Sequence, residues 1–375
     1  MNRKTHSRRK KKISQNTKTF IAALSFGLLS LLVFLITKYI PSFTNGIYSR
    51  WSIKAMQVLS KVFSFASFSI AEVLIYLLSV GLLIYIIFLI RNMVKYKNPG
   101  QRFVRFIAIL LLIASIGAFS FYGLWGGMYY SKGLDNLLRV ETKDRYLVEL
   151  IELNKHLLDK ANTYSKAVTR NEQGYFTGYG FDGYATLSAQ AASLISGKNE
   201  ENPKYVISSE AWSYTMTTGI FTFLTGEANV NKNDLAISLP FTCTHEIAHR
   251  NGITSEDEAN FFAFYSLINS DNLNLKYSAY SMALLYSMNS LYSKDKDTYM
   301  EIRGMYSEEL SHDYKRYHEH WAQYEGKVAE ISSKTNDLYL KAQGQKDGVA
   351  SYGRVTDLLL WWHEQEIVEG KTIKR

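Results

Sequence analysis

Three apolar runs fill most of the first third of the chain and constrain its fold more than anything else in it. "FIAALSFGLLSLLVFLITKYI" covers 20–40, "FSIAEVLIYLLSVGLLIYIIFLI" covers 68–90 and "FVRFIAILLLIASIGAFSFYGLW" covers 103–125. Each reaches the roughly 20 residues that cross the hydrocarbon of a bilayer. One such run could be a buried core helix. Three, with so few charges among them, read as membrane spans. A cleaved signal peptide would compete for the first, but that run is long for an h-region and no small-residue cleavage site follows it. Lys38, near its end, can reach the headgroups along its own aliphatic stem.

Charge orients the spans. The first 126 residues hold 17 of the 43 Lys and Arg but one of the 34 acids, Glu72. The basic head 1–19 and the connector "RNMVKYKNPGQR" (91–102) are both rich in Lys and Arg, and such loops stay in the cytoplasm. Three spans at about 20–40, 68–90 and 103–125 then put residues 127–375 outside, the N-terminus remaining cytoplasmic. The loop between the first two spans carries only Arg50, Lys54 and Lys61. Trp51, Trp125, Tyr129 and Tyr130 fall where aromatic belts sit. The part beyond 126 is mildly acidic and lacks the basic face that nucleic acid needs, so nucleic acid is not an expected partner. The single cysteine, Cys243, excludes an internal disulfide, so an outer domain must be held by its core.

That outer part reads as mostly helical with a small sheet. "DRYLVELIELNKHLLDKANTY" repeats apolar residues at three and four, an amphipathic helix. Residues 171–187, rich in Gly, Tyr and Asp, read as a loop, and "YATLSAQAASLIS" as a short helix ended by Gly197. "YVISS" and "TTGIFTFLTGEANV" alternate with β-branched and aromatic residues, as short strands do. "NLKYSAYSMALLYSMNSLY" is too rich in Ser, Tyr and Asn for a fourth span and reads as a core helix. Residues 294–342 read as helix with a charged surface, and "GRVTDLLLWWHEQEIV" as a last amphipathic helix.

The chemistry lies in "LPFTCTHEIAHRNGITSEDEANFFAF", residues 239–264. On a helix, His245 and His249 stand one turn apart on one face, where two imidazoles can share a zinc ion. Glu246, beside the first histidine, can serve as general base without ligating the metal. The competing reading is a solvated helix turn with two histidines. The apolar and small residues Ile247 and Ala248 favour a buried helix. Cys243 faces away from His245 and reads as a buried small residue. A catalytic zinc needs a third protein ligand and an open position. Gly252 can end the helix. Ser255, where a metzincin would place its third histidine, is a poor ligand but a suitable N-cap for the next helix. Glu256, Asp257 and Glu258 follow, and acids in a first turn also complement the helix dipole.

The stretch Glu256-x-x-Ala259-Asn260 resembles the Glu-x-x-Ala-Asp of membrane zinc peptidases of the gluzincin type. That resemblance implies Glu256 as third ligand, with Glu258 the alternative, and Asn260 as the residue that supports a ligand histidine. The chain departs from the pattern in a shorter gap after the second histidine and in asparagine for aspartate. Nearly the full length resembles a bacterial membrane family of unknown function. Its members combine three N-terminal spans, a His-Glu site helix and a Glu-x-Glu-Ala-Asn-Phe segment, matched here by "HEIAH", "EDEANFFAF" and the preceding "TGEANVN". The resemblance implies an α+β zincin-like metallopeptidase domain over 127–375, placed in the bacterial cell membrane. In gluzincin-like folds a strand before the site helix forms the cleft edge and pairs with substrate, which puts Thr225, Gly226 and Glu227 there; a structural hairpin is the alternative.

A hydrolase also needs a donor for the developing oxyanion. Tyr352, in "SYGRV" with Arg354, is the candidate among 27 tyrosines. His312, His318 and His320 could suggest a second metal but fit the wet face of a charged helix. The expected protein is thus an integral membrane zinc metallohydrolase, with one Zn2+ per chain on His245, His249 and Glu256 and with Glu246 as base and then acid. Its expected partners are membrane lipid and a peptide or protein substrate of the cell envelope. The alternative is a non-catalytic envelope protein whose metal staples the fold. A transporter is poorly served by three spans with scarcely any intramembrane charge.

Overall fold

The computed structural model describes residues 14–95, 99–138, 145–343, 354–371 and 373. The expected spans form helices α1 (Gln15–Tyr39), α4 (Ile70–Lys95) and α5 (Pro99–Leu124), each long and apolar enough to cross a membrane. Between α1 and α4 lie a single turn, α2 (Pro41–Phe43), and a second helix, α3 (Ser49–Val62). α1 and α4 both pack on α5. Their apolar character shows in the structure: Leu28, Leu32, Leu78, Ile84 and Ile113 are all exposed, as in helices whose surroundings are apolar.

Beyond α5 the chain builds a helical body: α6 (Leu147–Ala167), α7 (Gly180–Ser196), α8 (Ser209–Ser213), α9 (Leu239–Arg250), α10 (Glu256–Ile268), α11 (Leu273–Lys294), α12 (Lys296–Gly304), α13 (Glu308–Ala322), α14 (Lys327–Ala342) and α15 (Val355–Trp362). α11 is the expected core helix; Leu275, Tyr277, Ala279, Leu284 and Leu291 are buried along it. α9 is the centre. All twelve of its residues are buried, and α7, α10, α11 and the sheet surround it. α15 is mostly buried, with Trp361 and Trp362 edge-on to Phe261 and Phe264 of α10. The expected loop at 171–187 is cut short, because α7 begins already at Gly180.

The sheet has three strands, β1 (Lys204–Tyr205), β2 (Gly219–Thr222) and β3 (Glu227–Val230), in the order β1-β3-β2. β1 runs parallel to β3 in the register Tyr205↔Val230, and β2 antiparallel in the register Phe221↔Ala228. "YVISS" supplies only β1; its serines turn into α8. β3 is the central strand and fully buried, so the stretch Thr225–Glu227, expected to form an edge, does not; β2 is an outer strand of the sheet. The reason is the hairpin: Thr225 and Gly226 form the reversal and Glu227 begins the inner strand. Gly226, at φ +66°, presses against the backbone of Met56 and Ser60 in α3, where a Cβ would collide.

The membrane segment and the helical body are joined by a knot of paired groups. Residues before α4 bridge in parallel to β1, Ser69 N–H donating to the Tyr205 carbonyl at 2.8 Å. Glu227 then receives the first amides of α4, Ile70 N at 3.2 Å and Ala71 N at 2.9 Å, together with Lys204 Nζ at 2.7 Å and the Thr225 hydroxyl at 3.1 Å. In return Glu72 of α4 accepts from the Ile207 and Ser208 amides and the Ser208 hydroxyl at the start of α8. Each carboxylate thereby fills orphan N–H groups at a helix start.

Candidate metal centre

Local sequence places the two histidines. Pro240 sits in the first turn of α9, where its missing N–H costs nothing. His245 and His249 follow on one face, their rings 4.7 Å apart between centroids and nearly perpendicular. Gly252 ends the helix at φ +84°, and Ile253 N–H returns to the Ala248 carbonyl. That reversal aims the Ile253 carbonyl back at the site, where it accepts from His249 Nδ1 at 2.7 Å. Asn260, one turn into α10, accepts from His245 Nδ1 through Oδ1 at 2.8 Å. With an oxygen acceptor against each Nδ1, both protons sit on that nitrogen and both Nε2 lone pairs point inward.

The lone pairs converge with a third acceptor. His245 Nε2 lies 3.1 Å from His249 Nε2 and 3.1 Å from Glu256 Oε2, and His249 Nε2 lies 3.6 Å from that oxygen. Tetrahedral zinc with bonds of about 2.0–2.1 Å holds its ligand atoms about 3.3–3.4 Å apart, so the triangle fits such an ion. Among the described residues this is the one group of three such side chains that could hold a metal. Three buried acceptors facing one another are mutually repulsive without a positive charge between them. The electrostatics show the same demand for positive charge, which a proton on His249 or a metal ion can meet. Burial opposes a charged His249, but the Glu256 carboxylate outweighs it and raises the imidazole to about 9. Burial likewise opposes ionised Glu256, yet His249 and His245 hold its carboxyl well below the usual range.

Glu258 takes no part. It lies two positions on from Glu256, on another face of α10, where its carboxylate accepts the Leu134 amide at 2.9 Å. Gly133, at φ +52°, leaves room for it. Asp257 accepts from the Ser255 hydroxyl and lies 3.9 Å from Arg354. Glu246 turns toward β2. A Cβ on Gly219 would fall 2.4 Å from its Oε1, and its buried Oε2 has no hydrogen-bond partner. Burial raises this carboxyl, the two imidazoles lower it, Glu256 raises it again, and it comes to about 7.

The other sequence candidates are elsewhere. Tyr352 lies outside the described residues. Thr225, Gly226 and Glu227 belong to the knot described above. His312 stacks on Tyr175 at 4.3 Å, His318 packs against Tyr317 and His320 against Trp321, so they gather no second site. Cys243 is buried. Three contributors were not legible. Gly219 had a signal, a glycine inside a strand pattern, which marks a close approach. Tyr339 of α14 has its hydroxyl 3.0 Å from that of Tyr129. Trp125, at the end of α5, donates from Nε1 to the His249 carbonyl at 3.2 Å and packs on Phe221 of β2.

Fold and site together define a mainly helical protein with three membrane-length helices and a buried two-histidine, one-carboxylate cluster able to hold a metal. The chain belongs to the family described as "Protein of unknown function (DUF3810)", whose model matches residues 43–360. The match takes in α4, α5, the site helix and α10. Searches of curated proteins and of solved structures found no match.

Proposed function

We propose that this protein is a zinc-dependent metallohydrolase of gluzincin-like, zincin type, most simply a metallopeptidase, anchored by three spans with its catalytic body outside the cytoplasm. The observation that carries the reading is the convergence of three acceptors from His245, His249 and Glu256 beside an unpartnered Glu246 oxygen. Two imidazoles and one carboxylate are a donor set that suits zinc and leaves a position for water or substrate.

A zinc ion bound there would polarise a carbonyl and acidify a water. Glu246, held near neutrality, takes the proton from the attacking water and passes it to the leaving amine. Asn260 and the Ile253 carbonyl lock the tautomer and tilt of the ligand histidines. Gly219 lets an edge strand run close beside Glu246, where an extended chain can add to the sheet. The site helix is tied to the end of α5 through Trp125, so cleavage falls in water close to the headgroups. The choice of peptide over another amide or ester, and of cell-envelope substrates, follows from the resemblance to zinc peptidases.

A structural site is the second reading, favoured by one observation: Glu246 is only 4% exposed. The two separate on zinc content together with cleavage of an unfolded protein by the wild type and by Glu246→Ala. A peptidase loses turnover in the variant and keeps its metal. A structural site holds metal and cleaves nothing in either form.

A further inference from the structure

α3 connects the first two spans, and its contacts fix its height. The last turn of α5 leaves carbonyls with no partner inside the helix. Three successive ones are capped from α3 and the turn before it: Tyr48 Oη donates to the Tyr122 carbonyl at 2.6 Å, Trp51 Nε1 to Gly123 at 3.0 Å, and Ser52 Oγ to Leu124 at 2.6 Å. α3 therefore lies where α5 leaves the bilayer.

Its two faces differ. Ser52, Met56 and Ser60 are buried against the protein, with Met56 and Ser60 under the Gly226 reversal. On the opposite face Trp51, Val58 and Val62, spaced seven and four apart, form one stripe and are 55%, 51% and 60% exposed. Exposed Ile47 and Phe65 extend it at either end. Single exposed apolar residues are ordinary, but an aligned stripe at the level of a span's end is not. Arg50, Lys54 and Lys61 run alongside it at helical spacing. Beside them opens a crevice of about 220 Å³, lined among others by Lys54, Gln57, Lys61, Lys198, Glu200 and Glu201. Glu200 is already matched, by Arg250 at 2.9 Å and by Asn251 at 2.8 Å.

We propose that α3 is an in-plane interfacial helix, its apolar stripe sunk at the headgroup boundary, and that the lysine crevice binds the phosphate of an anionic phospholipid. The charge fits: three ammonium groups face a crevice in which one of the two carboxylates is neutralised. An amphipathic helix with basic residues flanking an apolar face binds membranes in this way. The crevice adjoins the end of the site helix, since Lys198 Nζ donates to Asn251 Oδ1 at 3.1 Å.

The test uses the full chain in nanodiscs. Cys243 is buried, so nitroxide labels attach selectively at Val58→Cys and Val62→Cys, with exposed Met300→Cys as the reference. The labels at 58 and 62 should be reached by oxygen and shielded from an aqueous nickel chelate, and the label at 300 the reverse. Native mass spectrometry of the detergent-exchanged protein should show phosphatidylglycerol retained over phosphatidylcholine. That preference should fall about five-fold for each of Lys54→Gln and Lys61→Gln. Nickel access at both 58 and 62 overturns the interfacial helix. Equal retention of the two lipids, or inorganic phosphate displacing phosphatidylglycerol as well as more of that lipid does, overturns the headgroup site.

Discussion

Two of the buried clusters of charge are built on opposite terms. In the knot at the foot of the helical body, the Glu227 carboxylate meets four donors: two amides, an ammonium and a hydroxyl. In the cluster on α9 and α10, the Glu256 carboxylate meets the Nε2 atoms of two imidazoles whose Nδ1 sides are held by Asn260 and the Ile253 carbonyl. Both carboxylates are buried. The first is saturated by its own donors; the second is a convergence of groups suited to a cation. Donor bookkeeping, more than burial or charge count, separates a structural brace from a binding site.

Removing a ligand should have the largest effect. His249→Ala is expected to abolish stoichiometric zinc binding, while the fold, judged by circular dichroism, survives. Glu246→Gln should keep the metal and lower turnover of an unfolded substrate by about 10²–10⁴-fold, the usual worth of a general base. The brace should answer in stability alone. Glu227→Ala leaves Lys204 buried without its partner, so a loss of about 3–5 kcal/mol is expected in denaturant titration, with zinc per folded chain unchanged. A fall in zinc affinity as large as that of a ligand variant would erase the distinction between the clusters. Asn260→Ala sits between the two cases and should weaken zinc binding about 10–100-fold.

The last effect is one of pH. Burial raises the Asp234 carboxyl to about 6, against hydrogen bonds from Ser238, Leu235 and Thr242 that lower it. The folded chain thus holds this proton more tightly than the unfolded chain does. The group's contribution to stability is full below its ordinary 3.8 and is lost as pH rises through about 6. Asp234→Asn should remove that part of the slope between pH 4 and 6, as read from melting temperatures across the range.

Much of this was legible in the chain. The three membrane-length helices are long apolar runs, and the histidine pair needs only a helix to bring it together. Periodicity also gave α6, α7 and the core helix α11. What sequence left open depended on tertiary direction. Glu256 and Glu258 share one helical turn and one composition, and only the docking of α10 on α9 turns the first to the histidines and the second to the Gly133 turn. Thr225–Glu227 and β2 belong to one alternating stretch, and pairing with β1 decides which half is the edge. The Ile253 carbonyl has no side-chain signature at all; Gly252 is its only trace.

The most direct test is the zinc content of the purified full-length chain under zinc-replete conditions, beside that of Glu256→Ala and Glu258→Ala. About one zinc per chain is expected in the wild type and in Glu258→Ala, and none in Glu256→Ala. A wild-type chain without metal, or one whose zinc survives loss of Glu256, would contradict the centre described here.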